Sequence, residues 1–238
     1  MNIPETYNQL DQWTTVMFLY NSALKAINTK IEILNNEFIH LYNYNPIEHI
    51  KSRLKTPESI VKKLKRGGHE VTIPNMIEHL SDIAGIRIIC SFSPDIYRIA
   101  EMIARQSDVT VLVVKDYIKN PKPNGYKSYH MVVSVPVYLS TGPVNVKVEI
   151  QIRTIAMDFW ASLEHKIRYK FEGKAPQHIN EELKACSDIV NMLDAKMLSL
   201  NEEVQALPKV GVEEQHEENV RMQKMWEENK IVDKLQKK

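Results

Sequence analysis

The stretch Val144–Thr154, VNVKVEIQIRT, decides the fold, because its apolar and polar residues alternate strictly as far as Arg153. A period of two predicts a β-strand that buries one face. The other face carries Glu149, Gln151 and Arg153 in succession, which are a carboxylate, an amide and a cation. A segment so rich in β-branched residues is typical of the middle of a sheet. We therefore expect a central strand that displays reactive groups on a rigid element.

A second strand is predicted just upstream, from about Ser128 to Leu139, with a Thr-Gly-Pro turn at 141–143. Strands joined by so short a turn pair as a hairpin, which would bring His130 to the polar row of Glu149. An isolated histidine on a strand is more often a hydrogen-bonded core residue than a functional one. Both interpretations of His130 stay open at this point.

The remaining sequence alternates between helical and extended patterns. Apolar runs rich in β-branched residues predict strands at 86–92 and 109–114. This order of elements predicts an α/β protein with a mixed sheet of about five strands, flanked by long N- and C-terminal helices. Spacing and capping signals predict helices at 8–41, 57–66, 93–106, 155–172 and from 181 onward. In the helix at 155–172 the spacing indicates an inner face of Ala156, Phe159 or Trp160, Leu163 and Ile167.

The composition is ordinary for a globular protein with a buried core, at 43% hydrophobic and 26% charged residues in a chain of 238. A formal net charge of +1 gives no bulk argument for a nucleic-acid or membrane partner. Cys90 and Cys186 fall at apolar positions, so we expect two buried thiols in a reducing compartment. The N-terminus is not typical of a signal peptide, and no apolar run reaches the roughly 18 residues of a membrane span. These features predict a cytoplasmic protein without a membrane partner.

Two apolar seams lie near the ends of the chain, one in the helix at 8–41 and one from Leu183 to Val204, which includes Cys186. The first seam suits packing on its own domain or on a partner helix equally well. The two seams together favour a homo-oligomer, and we expect a tetramer. The predicted organisation is an N-terminal helical segment (1–45), a core (46–175), a C-terminal oligomerisation helix (176–208) and a polar, mobile tail (209–238).

A cation-rich segment occupies residues 51–66, where seven lysines and arginines accompany a single acid. Thr56 followed by proline predicts the start of a helix, and two glycines after it predict the end. Helical spacing then places Ser59, Lys63 and Arg66 on one face. Such a run is usually a solvated face. Cations on both sides of a helix start can also converge on one polyphosphate, and RNA is a further alternative partner.

Asp82 stands at the corner before the strand at 86–92. An aspartate in this place either caps a turn or holds Mg²⁺, which takes oxygen ligands from one or two carboxylates and from substrate phosphates. Arg87 interrupts an apolar strand and needs a partner, because an unpaired buried guanidinium is costly.

The loop at 115–130, KDYIKNPKPNGYKSYH, carries four lysines around an exposed-looking Tyr126. A loop tyrosine is usually a surface or hinge residue, but among lysines it can also stack on a base while the cations take phosphates. The sequence has neither a Walker A loop nor a strand-linked GxGxxG motif. Its cation-rich and carboxylate-bearing segments at 53–66, 82–87, 115–130 and 149–164 suit a site for two nucleotides.

The chain resembles the (p)ppGpp synthetase domain of the RelA/SpoT family in four segments that follow in the same order. These are RLKTPESIVKKLKR at 53–66, DIAGIRIIC at 82–90, KDYIKNPKPNGYKSYH at 115–130 and VEIQIRTIAMDFWASLEHKIRYK at 148–170. The resemblance covers roughly residues 10–205 and is closest to the RelP branch of the single-domain small alarmone synthetases. It implies a nucleotidyltransferase-like core that transfers pyrophosphate from ATP to the 3′-hydroxyl of GDP or GTP. The products would be AMP and ppGpp or pppGpp for the stringent response, without hydrolase activity.

The resemblance implies a role for each matching residue. Asp82 resembles the aspartate that binds Mg²⁺, and Glu149 resembles the glutamate that assists metal binding and acts as base on the 3′-hydroxyl. The implied ATP-binding residues are Arg53 and Arg87 around adenine, with Lys55, Ser59, Lys63 and Arg66 on the phosphates. The implied GDP- or GTP-binding residues are Tyr126, which would stack on guanine, with Lys115, Lys122, Asn124, Lys127, His130, Gln151 and Ala161.

The segment GYKSYH departs from the family's common GYRSLH. Lys127 stands where an arginine could bind a phosphate through two bonds, and Tyr129 stands at an apolar strand position. His49 and Lys51 differ from the RelQ branch, so we do not expect activation by pppGpp. The alternatives to an enzyme are a catalytically idle regulator that binds guanine nucleotides and an RNA-binding module.

Overall fold

The computed structural model describes residues 7–169, 171 and 175–207, and the side chains of 12–168, 171 and 175–207. The predicted tail at 209–238 lies outside the described residues. A strand at the cation-rich segment supplies the fifth strand, which the sequence pattern did not locate. The elements follow in the order α1 (Tyr7–Tyr42), β1 (Ile47–Leu54), α2 (Pro57–Arg66), α3 (Ile73–His79), β2 (Ala84–Cys90), α4 (Ser93–Ala104), β3 (Thr110–Asp116), β4 (Tyr129–Leu139), β5 (Gly142–Thr154), α5 (Ile155–Tyr169) and α6 (Gln177–Ala206).

The strands form one five-stranded sheet in the order β1-β2-β5-β4-β3. β2 and β5 run parallel, and the other neighbours are antiparallel. The predicted α/β fold with a mixed sheet is therefore confirmed. β5 lies in the middle of the order, as its alternating sequence predicts. β2 spans 84–90 rather than 86–92, so the strand begins directly after the corner that holds Asp82.

β4 and β5 form the expected hairpin, with His130 paired to Gln151. Gly142 at the turn has a φ of 121°, a conformation that L side chains rarely adopt. Val148 and Ile150 on β5 are fully buried, whereas Glu149 between them is half-buried. The period-two pattern of the sequence thus separates an apolar face from a polar face on this strand.

The apolar face of the sheet is covered by α1 and α4. Ile27 and Ile31 of α1 and Ile99 of α4 belong to the same buried cluster as Ile88 and Ile150 of the sheet. Burying a side chain of this size stabilises the fold by about 1.5–3 kcal/mol. The seam of α1 thus packs on the chain's own sheet, which decides between the two interpretations that the sequence left open.

Threonines cap the starts of three of the described helices, at Thr56 of α2, Thr72 of α3 and Thr154 of α5, and the helix starts at 57 and 155 agree with the sequence prediction. The Oγ1 atom of Thr56 accepts a hydrogen bond from the backbone N of Ser59 at 3.3 Å, and that of Thr154 accepts one from the backbone N of Met157 at 3.2 Å. α2 ends before the two glycines at 67–68 and buries Ile60 and Leu64. Its cationic residues therefore lie on the outside of the helix.

The inner face of α5 differs in part from the prediction. Trp160 is buried, and its Nε1 donates to the backbone oxygen of Leu183 in α6 at 2.9 Å. Phe159, Leu163 and Ile167 are instead 59%, 43% and 40% exposed. The helix turns a neighbouring stripe toward α6, because Trp160 fills the contact between them.

The two cysteines differ in burial. Cys90 is fully buried, as predicted, but the prediction for Cys186 is wrong, because α6 turns it toward solvent. Leu183 of the predicted α6 seam is buried, whereas Leu193, Met197 and Val204 further along it are more than half exposed. Among the described helices, none is long and apolar enough to cross a membrane.

Candidate functional site

Polar residues of neighbouring strands form two rows on the sheet face opposite α1. Paired residues on adjacent strands point to the same face. The rows therefore bring groups from distant parts of the chain together on a rigid surface. In one row, Arg53 pairs with Gly85, which pairs with Glu149. In the next row, the five strands contribute Lys51, Arg87, Gln151, His130 and Lys115 in turn.

Asp82 lies at one end of this face, between two lysines of the cation-rich segment. Its Oδ2 atom is 2.7 Å from Nζ of Lys55 and 2.8 Å from Nζ of Lys63. Burial raises the pKa of Asp82, but the hydrogen bonds and charges of the two lysines outweigh it and hold the pKa below the usual value. The carboxylate is therefore ionised at neutral pH.

The second oxygen of Asp82 is the atom that can accept a metal. Oδ1 is buried and takes no hydrogen bond from any described residue. A buried carboxylate oxygen without a partner is uncommon and calls for a ligand. The described residues contain no group of three or more His, Cys, Asp or Glu that could hold a metal ion. The unpartnered Oδ1 of Asp82 is the kind of ligand that Mg²⁺ takes, since this ion binds one or two carboxylates and completes its shell from water and phosphates.

Glu149 projects from β5 in the middle of the polar face. Its Oε1 atom lies 3.6 Å from Nδ1 of His130, and its Oε2 atom accepts a hydrogen bond from Nε2 of Gln151 at 3.0 Å. Burial raises the pKa of Glu149, as does the nearby charge of Asp82, but His130 and Gln151 outweigh both and lower it. Glu149 is thus an ionised carboxylate held in a fixed orientation, as a general base requires.

Tyr126 is half-buried, so the impression of an exposed loop tyrosine is wrong. Its hydroxyl lies 2.8 Å from Nε2 of His130 and accepts a hydrogen bond from Nη2 of Arg153. The ammonium of Lys122 lies 4.7 Å from the ring centroids of both Tyr126 and Tyr117. The guanidinium of Arg153 lies 5.0 Å from the centroid of the Tyr126 ring. A flat π surface beside cations is the arrangement that a base and its phosphates would occupy.

The tight turn before Tyr126 contacts two helices, α5 and α6. Asn124 donates from Nδ2 to Oε1 of Glu164 on α5 at 3.0 Å. Gly125 has a φ of 87°, and a Cβ there would lie 2.6 Å from the side chain of Ser187 on α6. Ala161 is buried where α5 and α6 meet, in the cluster against which Tyr126 packs. The candidate residues Asn124, Tyr126 and Ala161 therefore belong to one structural unit.

Other candidate residues lie at the rim. Ser59 is exposed at the start of α2, where its hydroxyl accepts from Thr56, and Arg66 is exposed at the end of the same helix. Lys115 is exposed on the edge strand β3. Burial raises the pKa of Asp194 on α6, and the charge of Lys127 lowers it in part. These four side chains do not contact the two central carboxylates in this structure.

The structure reveals two participants that the sequence did not assign, Arg153 and Asp158. Arg153 is 4% exposed, and its guanidinium lies 3.0 Å from Oδ1 of Asp158 in the first turn of α5. The same oxygen lies 3.2 Å from Nη1 of Arg87, which is the partner that this strand arginine needed. The available signal was the position of Arg153 on the polar row. Nothing local to the sequence indicated that Asp158 would meet it.

Comparisons with known proteins agree with this geometry. A family model described as "Region found in RelA / SpoT proteins" matches residues 52–174. The chain is 49% identical over 195 residues to GTP pyrophosphokinase YwaC of Bacillus subtilis, covering 82% of this chain and 93% of that protein. The identity with YwaC agrees with the RelP-like branch expected from the sequence.

Two solved structures share the fold. Small alarmone synthetase 2 of Bacillus subtilis has a TM-score of 0.73 at 48% identity, covering 80% of this chain and 98% of that one. Small alarmone synthetase 1 of the same organism, bound to its product pppGpp, has a TM-score of 0.75 at 36% identity, covering 82% and 98%. With a matching family model, extensive identity and a shared fold, the chain belongs to the RelA/SpoT family.

Proposed function

We propose that this chain is a GTP pyrophosphokinase, a small alarmone synthetase that makes ppGpp or pppGpp. The observation that carries the proposal is the placement of two ionised carboxylates, Asp82 and Glu149, on one polar sheet face. Cations flank Asp82 on one side, and an aromatic cluster with lysines flanks Glu149 on the other. A site for two phosphorylated nucleotides needs this combination of cations, acids and a flat stacking surface.

The ATP side of the proposed site is the edge formed by β1, β2 and α2. Arg53 and Arg87 flank the place proposed for adenine, since Arg53 covers Gly85 and Arg87 lies one row further along β2. A guanidinium can stack on a purine ring. The phosphates would be bound by the cationic side chains around the start of α2, together with its hydroxyl: Lys55, Ser59, Lys63 and Arg66.

The GDP or GTP side is the opposite half of the face, formed by β4, β3 and the loop before β4. Guanine would stack on Tyr126, whose ring is fixed by Arg153 and His130. Gln151 and His130 line the approach to Glu149. The remaining proposed contacts to the acceptor nucleotide come from Lys115, Lys122, Asn124, Lys127 and Ala161.

The proposed reaction places Glu149 at the acceptor hydroxyl. Its carboxylate takes the proton of the 3′-hydroxyl while the 3′-oxygen forms a bond to the β-phosphorus of ATP. The bond between that phosphorus and the oxygen bridging to the α-phosphorus breaks, and AMP leaves with that oxygen. The hydroxyl is a weak nucleophile, so a general base contributes about 10²–10⁴-fold to the rate. Lys55 and Lys63 offset the charge that the phosphates bring.

We propose Mg²⁺ as the cofactor, held by Asp82 and Glu149. The unpartnered Oδ1 of Asp82 and the electrostatic contact between the two carboxylates support this choice. When bound, the ion neutralises phosphate oxygens and makes the β-phosphorus more electrophilic.

We also propose a homo-oligomer, with a tetramer as the expected form, in the cytoplasm. Apolar side chains on α5 and α6 are exposed in the single chain, including Phe159, Met192, Leu193 and Met197 at 51–69%. An apolar surface of this kind is typical of an interface between protein chains. The free, exposed thiol of Cys186 fits a reducing compartment.

Product analysis tests the function. The purified chain is incubated with ATP, GDP and Mg²⁺, and the nucleotides are separated and identified by mass spectrometry and ³¹P NMR. AMP and a guanosine carrying a 3′-pyrophosphate are expected in equal amounts. A folded protein that binds GDP but forms neither product would support the idle regulator instead. Tight binding of generic RNA that weakens steeply with salt would favour the RNA-binding alternative.

A further inference from the structure

Arg153 occupies the centre of a hydrogen-bond network beneath the acceptor side of the site. Its Nε donates to Oγ of Ser128 at 3.3 Å, and Nη2 donates to the hydroxyl of Tyr126 and, at 3.1 Å, to Oε1 of Gln151. Its Nη1 donates to Oδ1 of Asp158 at 3.0 Å. A guanidinium presents its donors in a rigid fork, so a buried arginine with four partners fixes their relative positions.

Both branches of this network end at Glu149. On one branch, Tyr126 meets His130 at 2.8 Å, and His130 faces Oε1 of Glu149 at 3.6 Å. On the other branch, Arg153 holds the amide oxygen of Gln151, which leaves the amide nitrogen to donate to Oε2 of Glu149. The orientation of that amide is therefore determined by Arg153 rather than by Glu149 alone.

Asp158 extends the network to the donor side. A single oxygen, Oδ1, lies 3.0 Å from Nη1 of Arg153 and 3.2 Å from Nη1 of Arg87. The Asp158 side chain is 14% exposed. Without this shared carboxylate, two nearby guanidinium groups would repel each other at a site of low exposure.

We propose that Asp158 and Arg153 form a positioning pair that couples the two nucleotide subsites, so that a nucleotide on one side favours binding on the other. The inference rests on the proposed function, because it takes Arg87 as an ATP-side residue and Tyr126 and Gln151 as acceptor-side residues. Neither member of the pair touches the reacting atoms. A nucleotide that contacts Arg87 alters how Oδ1 of Asp158 is shared between Arg87 and Arg153. Arg153 transmits that change to Tyr126 and Gln151, so binding on one side changes the affinity on the other.

The test measures this coupling without turnover. The affinity for GDP is determined by calorimetry in the absence and presence of a saturating non-hydrolysable ATP analogue. Coupling between sites is reciprocal and commonly amounts to about 5–150-fold. We expect the analogue to tighten GDP binding to the wild type by at least about fivefold. In Asp158→Asn this factor should fall toward one, because the amide cannot neutralise both guanidinium groups.

A second variant separates the two halves of the pair. Arg153→Lys keeps the charge but loses the fork, so KM for GDP should rise by about tenfold while KM for ATP changes less. Asp158→Glu, which keeps the carboxylate, should recover part of the coupling. If Arg153→Lys does not fold, Asp158→Asn and Asp158→Glu decide the question.

Matched controls come from ion pairs outside the site. Asp108→Asn loses a carboxylate paired with Lys30 at 2.8 Å, and Arg105→Lys alters an exposed pair with Glu101. Both controls should keep the wild-type coupling factor.

The possible outcomes separate the inference from the proposed function. The positioning pair would be overturned if Asp158→Asn kept the coupling factor of the wild type. It would also be overturned if this variant had a lower melting temperature but the GDP affinities of the wild type, both with and without the ATP analogue. In the same preparations, a wild type that makes no 3′-pyrophosphorylated guanosine would overturn the function. An active wild type whose variants keep full coupling would overturn this inference alone.

Discussion

On β5, Val148 and Ile150 face the helices of the core, whereas Glu149 and Gln151 face the polar side proposed for the nucleotides. The four residues are consecutive in the sequence. Packing on the apolar face requires only that hydrocarbon side chains fill the available space closely. The polar face requires hydrogen bonds between particular atoms, such as the one that Oε2 of Glu149 accepts from Gln151. The comparison teaches that one strand can make folding and chemistry independent, because a period of two assigns each role to a separate face.

Glu149→Gln should give the largest effect on the polar side. The amide keeps the shape of the side chain but cannot accept the proton, so turnover should fall by about 10²–10⁴-fold. Nucleotide affinity and melting temperature should stay near those of the wild type. The rate is measured by AMP release, with Glu101→Gln at an exposed position of α4 as the matched control. A rate close to wild type would reject Glu149 as the base and remove the chemical role of this face.

Lys63→Met should impair the ATP side next. The lysine contributes a charge-assisted bond to Asp82 at 2.8 Å, and bonds of this kind are worth about 1.5–3 kcal/mol. The same ammonium is proposed to make a bond of this kind to an ATP phosphate, so KM for ATP should rise by about tenfold or more, with little change in KM for GDP. Lys62→Met removes the neighbouring, exposed lysine of the same helix and should leave both constants unchanged. Equal effects of the two variants on KM for ATP would show that the lysines of α2 are only a solvated surface and do not bind ATP.

His130→Gln should shift the pH dependence of turnover. In the wild type, burial raises the pKa of Glu149, and the contacts with His130 and Gln151 more than compensate. Removing His130 leaves burial less opposed, so the pKa of Glu149 should rise and the acid limb of kcat should move to higher pH. The profile is measured at saturating nucleotides so that weaker binding does not enter. An acid limb that stays in place would show that His130 does not stabilise the carboxylate.

Asp95→Asn, on the core side, should have the smallest effect, and on stability only. Burial raises the pKa of Asp95, which is 2% exposed and accepts a hydrogen bond from the hydroxyl of Tyr44. A raised carboxyl pKa means that stability falls as the pH rises from the unfolded value through the folded one.

The asparagine removes this cost and can still accept from Tyr44. Stability at neutral pH should therefore stay equal or rise by about 1 kcal/mol or less, and the gain should disappear in acid. Thermal unfolding across pH measures this, with Asp108→Asn as control. A marked loss of stability at neutral pH would show that the ionised form contributes to the fold.

Local signals in the sequence predicted much of this structure. The alternation of β5, the hairpin with β4 and the threonines at the starts of α2 and α5 all depend on neighbours within a few residues. The polar row was visible for the same reason, since a strand pattern states which residues share a face. Glu149 and Gln151 could therefore be predicted to share one polar face, whereas the pairing of Glu149 with Asp82 depended on the resemblance to the RelA/SpoT family.

The contacts of α5 could not be predicted in this way. Two apolar stripes run side by side on this helix, and periodicity alone does not tell which one meets α6. The structure buries Trp160 and leaves Phe159 exposed. The wrong prediction for Cys186 has a similar cause, because an apolar seam in a sequence does not state whether its partner lies within the same chain.

The support of the site depends on long-range geometry. Arg153 was visible on the polar row, but its partner Asp158 becomes apparent only when the first turn of α5 folds back beside β2. Tyr126 looked exposed because a loop sequence carries no information about the groups beneath it. Residues that touch a substrate often belong to a local sequence motif. The residues that position those side chains need not belong to one.

A variant scan of β5 from 148 to 152 tests the separation of the two faces most directly. Turnover per folded molecule and the free energy of unfolding are measured for Val148→Ala, Glu149→Gln, Ile150→Ala, Gln151→Ala and Ile152→Ala. The two polar positions should lose turnover while stability is kept. The three apolar positions should lose stability, by about 2–5 kcal/mol for the isoleucines, while turnover per folded molecule is kept. Losses that do not alternate along the strand would contradict the account.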